Sequence, residues 1–179
     1  MGTNGSTVLA PLRQGLPPID PSGAAGAASC SLPPRYEAVR SAREFTRTTL
    51  GQWELDERFD DVALVVSELV TNALRHAVPD VAPAGQDRPV RLHLMRWNTR
   101  LVCAVRDPSR ISPETRESDD EYAAESGRGL FLVESFSDTW GWHPLAGTLS
   151  GKVVWAVFLL RTPEVPAGAL PGPALPAED

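Results

Sequence analysis

Residues 67–77 read SELVTNALRHA and belong to a segment whose apolar residues recur at helical spacing. Apolar side chains stand at positions 62, 65, 66, 69, 70, 73, 74 and 77, which predicts an amphipathic helix that ends near Ala77, before Pro79. Glu68 and Asn72 are four residues apart, so they are neighbours on one polar face of this helix. Taken alone, their spacing favours an ordinary solvated face, and a binding site is the alternative.

The pair Glu68 and Asn72 has the chemistry that a magnesium site beside a catalytic base requires. Magnesium prefers hard oxygen ligands, keeps several waters and completes its shell with substrate phosphates. The side-chain oxygen of Asn72 can supply one protein ligand. The Glu68 carboxylate, one turn earlier, can hold or deprotonate a water or hydroxyl beside the metal.

Further elements are predicted on both sides of this helix. The segment RYEAVRSAREFTRTTLGQW predicts a preceding helix, and VRLHLMRW with RLVCAVRD predicts a hairpin of two strands. Residues 108–126 are polar without a clear period, and because this length is uncommon for a plain loop, a functional lid is one interpretation. GLFLVESFSD predicts a helix that starts just after Gly127 and Gly129, and TWGWHPL with KVVWAVFLL predicts a closing antiparallel pair. The fold class is therefore α+β, a two-layer α/β sandwich whose mixed, mostly antiparallel sheet packs against helices.

Composition divides the chain of 179 residues into one domain and two tails. Residues 1–32 and 163–179 are rich in Gly, Pro and Ala, so they bury too little apolar surface to offset the entropy of ordering. Both are predicted to be disordered. Residues 33–162 remain as one compact domain.

Charge and cysteine content narrow the functional classes. A formal net charge of −6 gives no basic footprint for direct binding to nucleic acid. We expect no membrane span, because no apolar run reaches the length of about 20 residues that crossing requires, and the N-terminus lacks the pattern of a signal peptide. Two cysteines, Cys30 and Cys103, do not make a disulfide framework, which favours a reduced cytoplasmic setting. The three histidines lack the spacing of zinc ligands.

Asp107 ends an apolar strand, where a buried carboxylate is costly without a hydrogen-bond donor. An exocyclic amine such as that of adenine would be one suitable donor. The alternative is a turn role, because Asp before Pro often initiates a turn, and Pro108 follows here.

The sequence GRGL opens a predicted helix with Gly127 and Gly129 on either side of Arg128. Glycines allow close backbone approach, and free amides at a helix N-terminus attract phosphate. Arg128 adds a charge that can reach phosphate oxygens. A plain junction between a loop and a helix is the alternative.

In their order, a helix with E-x-x-x-N, a strand ending in Asp, a variable lid and a GxGL before a helix resemble the ATP-binding domain of the Bergerat (GHKL) superfamily. Within it, SELVTNALRHA looks very like the anti-sigma factor serine kinases of bacteria, especially the small single-domain type of actinobacteria. The resemblance covers residues 33–161, and ELVTNA with the following HA is its most specific part.

The resemblance implies a two-layer α/β sandwich and the cofactors ATP and Mg²⁺. It implies that Glu68 is the catalytic base, that Asn72 binds magnesium and that Asp107 binds adenine. Gly127 and Gly129 would face the phosphates, with Arg128 between them. The implied partners are an anti-sigma factor antagonist, phosphorylated on serine, and a sigma factor. A homodimer is also implied.

The chain departs from this family in two places. The first glycine box usually reads DxGxG, whereas DPSRI at residues 107–111 contains no glycine. Where many relatives have Gly-Thr-Thr or Gly-Lys-Thr, this chain has GKVV, so Val153 is expected to replace a hydroxyl that supports Asp107. Loss of such a partner costs on the order of 1 kcal/mol, which predicts weaker nucleotide binding.

Three functions remain open from the sequence. The first is an ATP-dependent serine/threonine kinase of the anti-sigma type, which the intact Glu68 and Asn72 favour. The second is a non-catalytic module in which nucleotide shapes a partner-binding surface, which DPSRI and Val153 favour. The third is a metabolic ATPase, which the absence of a substrate domain disfavours.

Overall fold

The computed structural model describes residues 24–32, 37–77, 89–109, 112–113, 124–145 and 151–160, of which 24, 76–77 and 124–128 are described by their backbone alone. The elements, in chain order, are β1 (Ala24–Leu32), α1 (Glu37–Gln52), a 3₁₀-helix (Asp56–Arg58), α2 (Phe59–Ala77), β2 (Val90–Trp97), β3 (Arg100–Asp107), α3 (Ala124–Phe136), β4 (Thr139–Pro144) and β5 (Lys152–Leu159).

The five strands form one sheet in the order β1-β2-β3-β5-β4, and each described pairing is antiparallel. A two-residue turn at 98–99 joins β2 to β3. β5 lies between β3 and β4, and its first residue, Lys152, pairs with the last residue of β3, Asp107. The predicted hairpin and the predicted closing pair are both confirmed, as is the α+β class.

The helices form the second layer of the sandwich. α2 packs against α1, α3 and β3, which puts it at the centre of that layer. Its apolar stripe is buried as predicted, and it forms one core with strand residues such as Leu92, Leu101 and Val105. The opposite face of the sheet carries a second buried cluster, which comprises Met95, Trp97, Val102, Ala104, Val153, Trp155 and Val157. In the described part of the chain, no helix is long and apolar enough to cross a membrane.

β1 is the main departure from the sequence prediction. Composition predicts a disordered tail through residue 32, and this is wrong for residues 24–32, which pair with β2. Ala, Gly and Ser give no alternating apolar pattern. Antiparallel pairing with β2 orders this strand, together with burial of Leu32 in the core and packing of Cys30 against it. Small size is also required there, because a Cβ on Gly26 would lie 2.8 Å from Nε1 of Trp53. The remaining tails, 1–23 and 163–179, lie outside the described residues.

α3 also begins earlier than predicted. Its first residue is Ala124, so Gly127 and Gly129 lie inside the helix and not before it. Each glycine in a helix costs about 1 kcal/mol relative to alanine, which is why the sequence favoured a start after both. Packing of α3 against α2 offsets this cost. Most of the predicted lid, residues 108–126, lies outside the described residues.

Candidate functional site

Glu68 and Asn72 lie one turn apart on α2, and both are half-buried. The neighbouring Leu69, Val70 and Ala73 are buried in the core. The polar pair therefore occupies the border between the packed face of the helix and its surface. A fully solvated face, which was the alternative from the sequence, would leave both side chains exposed.

Gly129 of α3 lies directly against this pair. A Cβ built on Gly129 would lie 2.9 Å from Oε2 of Glu68, 3.3 Å from Nδ2 of Asn72 and 3.4 Å from its Oδ1. Real Cβ contacts are longer than the first of these distances, so the absence of a side chain at Gly129 lets the two helices approach. The fold thus brings Glu68, Asn72 and Gly129 together from two separate segments.

The residues around Gly129 fit a magnesium ion. The Glu68 carboxylate and the Asn72 amide converge on one point, so two hard oxygen donors stand side by side. Magnesium uses only one or two protein oxygens and takes the rest from water and phosphate. A larger residue at position 129 would collide with the Glu68 carboxylate and crowd the Asn72 amide.

Asp107 lies at the C-terminal end of β3 and is buried, with 3% of its surface exposed. Its Oδ1 accepts a hydrogen bond of 2.8 Å from the backbone N–H of Ser109, two residues later. This is an Asx turn, so the turn role considered from the sequence is present. The carboxylate nevertheless faces the helix layer, because alternate residues Val105 and Cys103 belong to the core on that side.

Lys152 forms a buried ion pair with Asp107. Its Nζ lies 2.8 Å from Oδ2 and 3.0 Å from Oδ1, and the two side chains are 5% and 3% exposed. Removal of one partner from such a pair typically costs about 3–5 kcal/mol, because the other charge is left buried without compensation. The sequence does not reveal the role of Lys152 in GKVV, because no local pattern shows that residue 152 lies opposite residue 107.

The expected role of Val153 is corrected by the same register. Val153 pairs with Arg106 and belongs to the cluster on the opposite face of the sheet, so its side chain does not support Asp107. Strand residues alternate between faces, so a shift of one residue exchanges Val153 for Lys152 beside the carboxylate. The structure therefore gives no reason for Val153 to weaken nucleotide binding through Asp107.

Gly151 holds the start of β5 against the end of β3. Its φ is +114°, and a Cβ there would lie 2.1 Å from the carbonyl oxygen of Asp107. No residue with a side chain fits this position without moving the backbone. Gly151 therefore has a structural role, which is to let Lys152 reach Asp107, and the sequence had not singled it out.

Gly127 and Arg128 lie in α3 together with Gly129. Only the amides of the first turn of a helix lack intrahelical partners. Because the helix begins at Ala124, Gly129 falls in the second turn. It approaches α2 closely because it has no side chain. The side chain of Arg128 lies outside the described part of the structure.

A basic groove lies between α1 and the first residue of α2. It has a volume of about 470 Å³ and is lined by Val39, Arg40, Arg43, Glu44, Arg47 and Phe59. The guanidinium of Arg47 stacks 3.9 Å above the ring centre of Phe59. Arg43 donates to Oγ of Ser67 at 3.2 Å. This concentration of cations contrasts with the net charge of −6.

Three comparisons relate this chain to known proteins. The model of the histidine kinase-like ATPase domain family matches residues 32–158. The serine-protein kinase RsbW of Staphylococcus aureus, in two strains, is 27% identical over 89 residues, which cover 44% of this chain and 54% of that protein. This chain thus spans about half the length of the curated relatives that it matches.

One solved structure matches most of this chain at low sequence identity. A chain in the crystal structure of the SiaB–SiaC complex from Pseudomonas aeruginosa superposes with a TM-score of 0.49 and 9% identity, over 77% of this chain and 91% of that one. The family model spans more than half of this chain and includes α2, β3, α3 and most of β5. This chain belongs to the histidine kinase-like ATPase domain family.

Proposed function

We propose that this protein is an ATP-dependent serine/threonine protein kinase of the anti-sigma factor type, which phosphorylates an antagonist protein and binds a sigma factor. The convergence of Glu68, Asn72 and Gly129 carries the proposal. The named activity of RsbW, a serine-protein kinase, supports the same reaction class. We further propose a cytoplasmic location and a homodimer, as in the family that the sequence resembles.

Each residue has a distinct part in this proposal. Glu68 accepts the proton of the serine hydroxyl, and Asn72 contributes an oxygen ligand to magnesium. Magnesium, when bound, neutralises charge on the phosphates. Gly129 lets α3 approach both residues, and we assign Gly127 and Arg128, which precede it in the chain, to phosphate binding, as the family resemblance implies. Asp107 lies at the end of β3 where it would meet the adenine base.

Phosphoryl transfer requires little covalent chemistry from the protein, so the main contribution of these residues is to position the nucleotide, the metal and the serine hydroxyl. Glu68 and Asn72 are held on one rigid helix, and both are half-buried against a second helix. General-base catalysis by such a carboxylate typically contributes about 10²–10⁴ in rate. Loss of Glu68 should therefore reduce transfer far more than it reduces nucleotide affinity.

The alternative is a non-catalytic module whose shape responds to nucleotide. Two observations favour it: the Asp107 carboxylate is already paired with Lys152, and the groove of Arg40, Arg43 and Arg47 offers a basic docking surface to an acidic partner. In this alternative, binding of ATP and magnesium persists without phosphoryl transfer.

Transfer of labelled phosphate separates the two functions. The protein is incubated with labelled ATP, magnesium and antagonist proteins from the same genome, beside the variants Asn72→Ala, Glu68→Gln and Glu134→Gln. Glu134 is exposed on α3, so its variant is a matched control for loss of a carboxylate. The kinase requires that wild type and Glu134→Gln transfer phosphate, and that the other two lose transfer by about 100-fold or more.

Other results would overturn the kinase. Equal transfer by Glu68→Gln and wild type would remove the base assignment. Binding of ATP by calorimetry without transfer to any antagonist would favour the module. If no ATP binds at millimolar concentration to the folded protein, both functions fail.

A further inference from the structure

Lys152 is the single lysine of the chain, since the other 16 of its 17 cationic residues are arginines. It lies at the start of β5, it is 4% exposed, and the register of the sheet sets it opposite Asp107. Buried ammonium groups are rare unless they are paired. The one lysine therefore forms its ion pair with Asp107, the carboxylate that the proposed function assigns to binding the adenine ring.

Both oxygens of Asp107 are engaged by the same ammonium, at 2.8 Å and 3.0 Å. The backbone N–H of Ser109 adds a third contact, at 2.8 Å, to Oδ1. A carboxylate offers about four lone-pair positions, so most of its capacity to accept hydrogen bonds is already used. An incoming amine would have to share or displace these donors.

The purine bases differ at the position that such a carboxylate would read. Adenine carries an amine, which donates to an acceptor, and guanine carries a carbonyl oxygen, which accepts from a donor. A lone carboxylate would attract the first and repel the second. An ammonium offers N–H donors, and lysine is a common partner of the acceptor edge of guanine.

We propose that Lys152 is a specificity-determining residue, and that the Lys152–Asp107 pair makes the base subsite accept guanine nucleotides about as well as adenine nucleotides. This inference rests on the proposed nucleotide site. The amine of adenine would share the carboxylate oxygens with the ammonium, and the carbonyl oxygen of guanine would accept from the ammonium. The geometry that enforces the pair is the close approach of Gly151 to the backbone of Asp107.

Calorimetry with magnesium and either ATP or GTP tests the inference on the full chain. Wild type is expected to bind the two nucleotides with dissociation constants within about threefold, because each base finds one matched partner. Lys152→Met and Lys152→Thr remove the donor and should shift the ratio to at least about tenfold in favour of ATP. Arg40→Met removes one cation from an exposed position on α1 and should leave the ratio at the value of wild type.

A second measurement on wild type is needed because the Lys152 variants leave a buried charge and are at risk of unfolding. Since the chain has one lysine, labelling with ¹³C at the lysine ε-carbon gives one NMR signal from a side chain. Titration with GTP–magnesium and with ATP–magnesium should each move this signal. The signal in Arg40→Met should behave as in wild type.

Distinct outcomes would overturn the inference and the function beneath it. A preference of wild type for ATP above about 30-fold, an unchanged ratio in folded Lys152 variants, or a lysine signal that does not move while GTP binds would each overturn the role of Lys152. If neither nucleotide binds folded wild type, the proposed function itself fails, and the inference fails with it.

Discussion

Gly129 lies so close to Glu68 that a Cβ on the glycine would be 2.9 Å from Oε2 of the carboxylate. The two residues are 61 positions apart in sequence, and they meet because α3 packs on α2. The Asn72 amide lies beside the same glycine, at 3.3–3.4 Å from the position of that Cβ. This close approach defines the most direct mutational test of the site.

Gly129→Ala should weaken binding of ATP and magnesium without a loss of stability. The added methyl group must displace the end of the Glu68 side chain, and disturbance of groups that orient metal ligands typically costs about 10-fold or more in metal affinity. Alanine gains about 1 kcal/mol of helix propensity over glycine, which offsets the crowding. Calorimetry measures the affinity, and thermal unfolding measures the stability.

Gly51→Ala on α1 is the control, because a Cβ there meets only Oδ1 of Asp56, at 3.4 Å. It should leave nucleotide affinity unchanged. An affinity for Gly129→Ala equal to that of wild type would separate Gly129 from the site.

Gly151→Ala should destabilise the fold strongly. The residue has a φ of +114°, and its Cβ would lie 2.1 Å from the carbonyl oxygen of Asp107, a backbone atom that cannot move without the strand. We expect a loss of about 3 kcal/mol or more in the free energy of unfolding, measured by urea denaturation. A midpoint unchanged from that of wild type would contradict the described junction between β3 and β5.

His93 should make stability depend on pH on the acid side. Burial, together with the nearby charges of Arg91 and Arg106, lowers the pKa of His93 from 6.5 to about 4. Between these values the unfolded state binds more protons than the folded state, so the free energy of unfolding rises with pH. The stabilisation, on the order of 3 kcal/mol, is complete above pH 6.5 and is lost as the pH falls toward 4.

The measurement is the difference between wild type and His93→Gln in the free energy of unfolding at several pH values. The difference cancels the carboxylates, which also titrate below pH 5. A difference that stays constant between pH 4 and 6.5 would contradict the buried neutral state of His93.

The two cysteines should resist thiol reagents in the folded protein. Burial raises the pKa of Cys30 to about 11 and the pKa of Cys103 to about 12. The thiolate is the reactive form, so alkylation at pH 7 to 8 should be slow for the native chain and fast in denaturant. Both pKa values lie above those of the unfolded chain. The folded state is therefore favoured by its buried neutral thiols below about pH 9, and this contribution to the free energy of unfolding is lost as the pH rises toward 11 and 12. Rapid native labelling of Cys103 would contradict its burial.

Two arginines of α1 should differ in their contribution to stability. Arg47 stacks 3.9 Å above Phe59, and cation–π contacts of this kind contribute about 0.5–1 kcal/mol. Arg40 pairs with Glu44 at 3.0 Å, but the two side chains are 84% and 65% exposed, so this pair contributes little. Arg47→Gln should therefore lower the urea midpoint more than Arg40→Gln. The reverse order would contradict the stacking.

Periodic patterns in the sequence determined most of the fold. The apolar stripe of α2 and the alternation in β2 and β3 are local signals, and both elements have the predicted type. The E-x-x-x-N spacing likewise places Glu68 and Asn72 on one helix face, because helical geometry alone makes residues four apart neighbours. β1 has no such signal, because its Ala, Gly and Ser residues carry no apolar alternation.

Tertiary structure alone decided what surrounds the predicted residues. The register between β3 and β5 sets Lys152, and not Val153, beside Asp107, and a shift of one residue would exchange them. The packing of α3 on α2 overrides the cost of two helical glycines and uses Gly129 for close approach. The sequence therefore specifies which side chains each element carries, whereas strand register and helix packing, which depend on residues distant in the chain, specify which side chains meet.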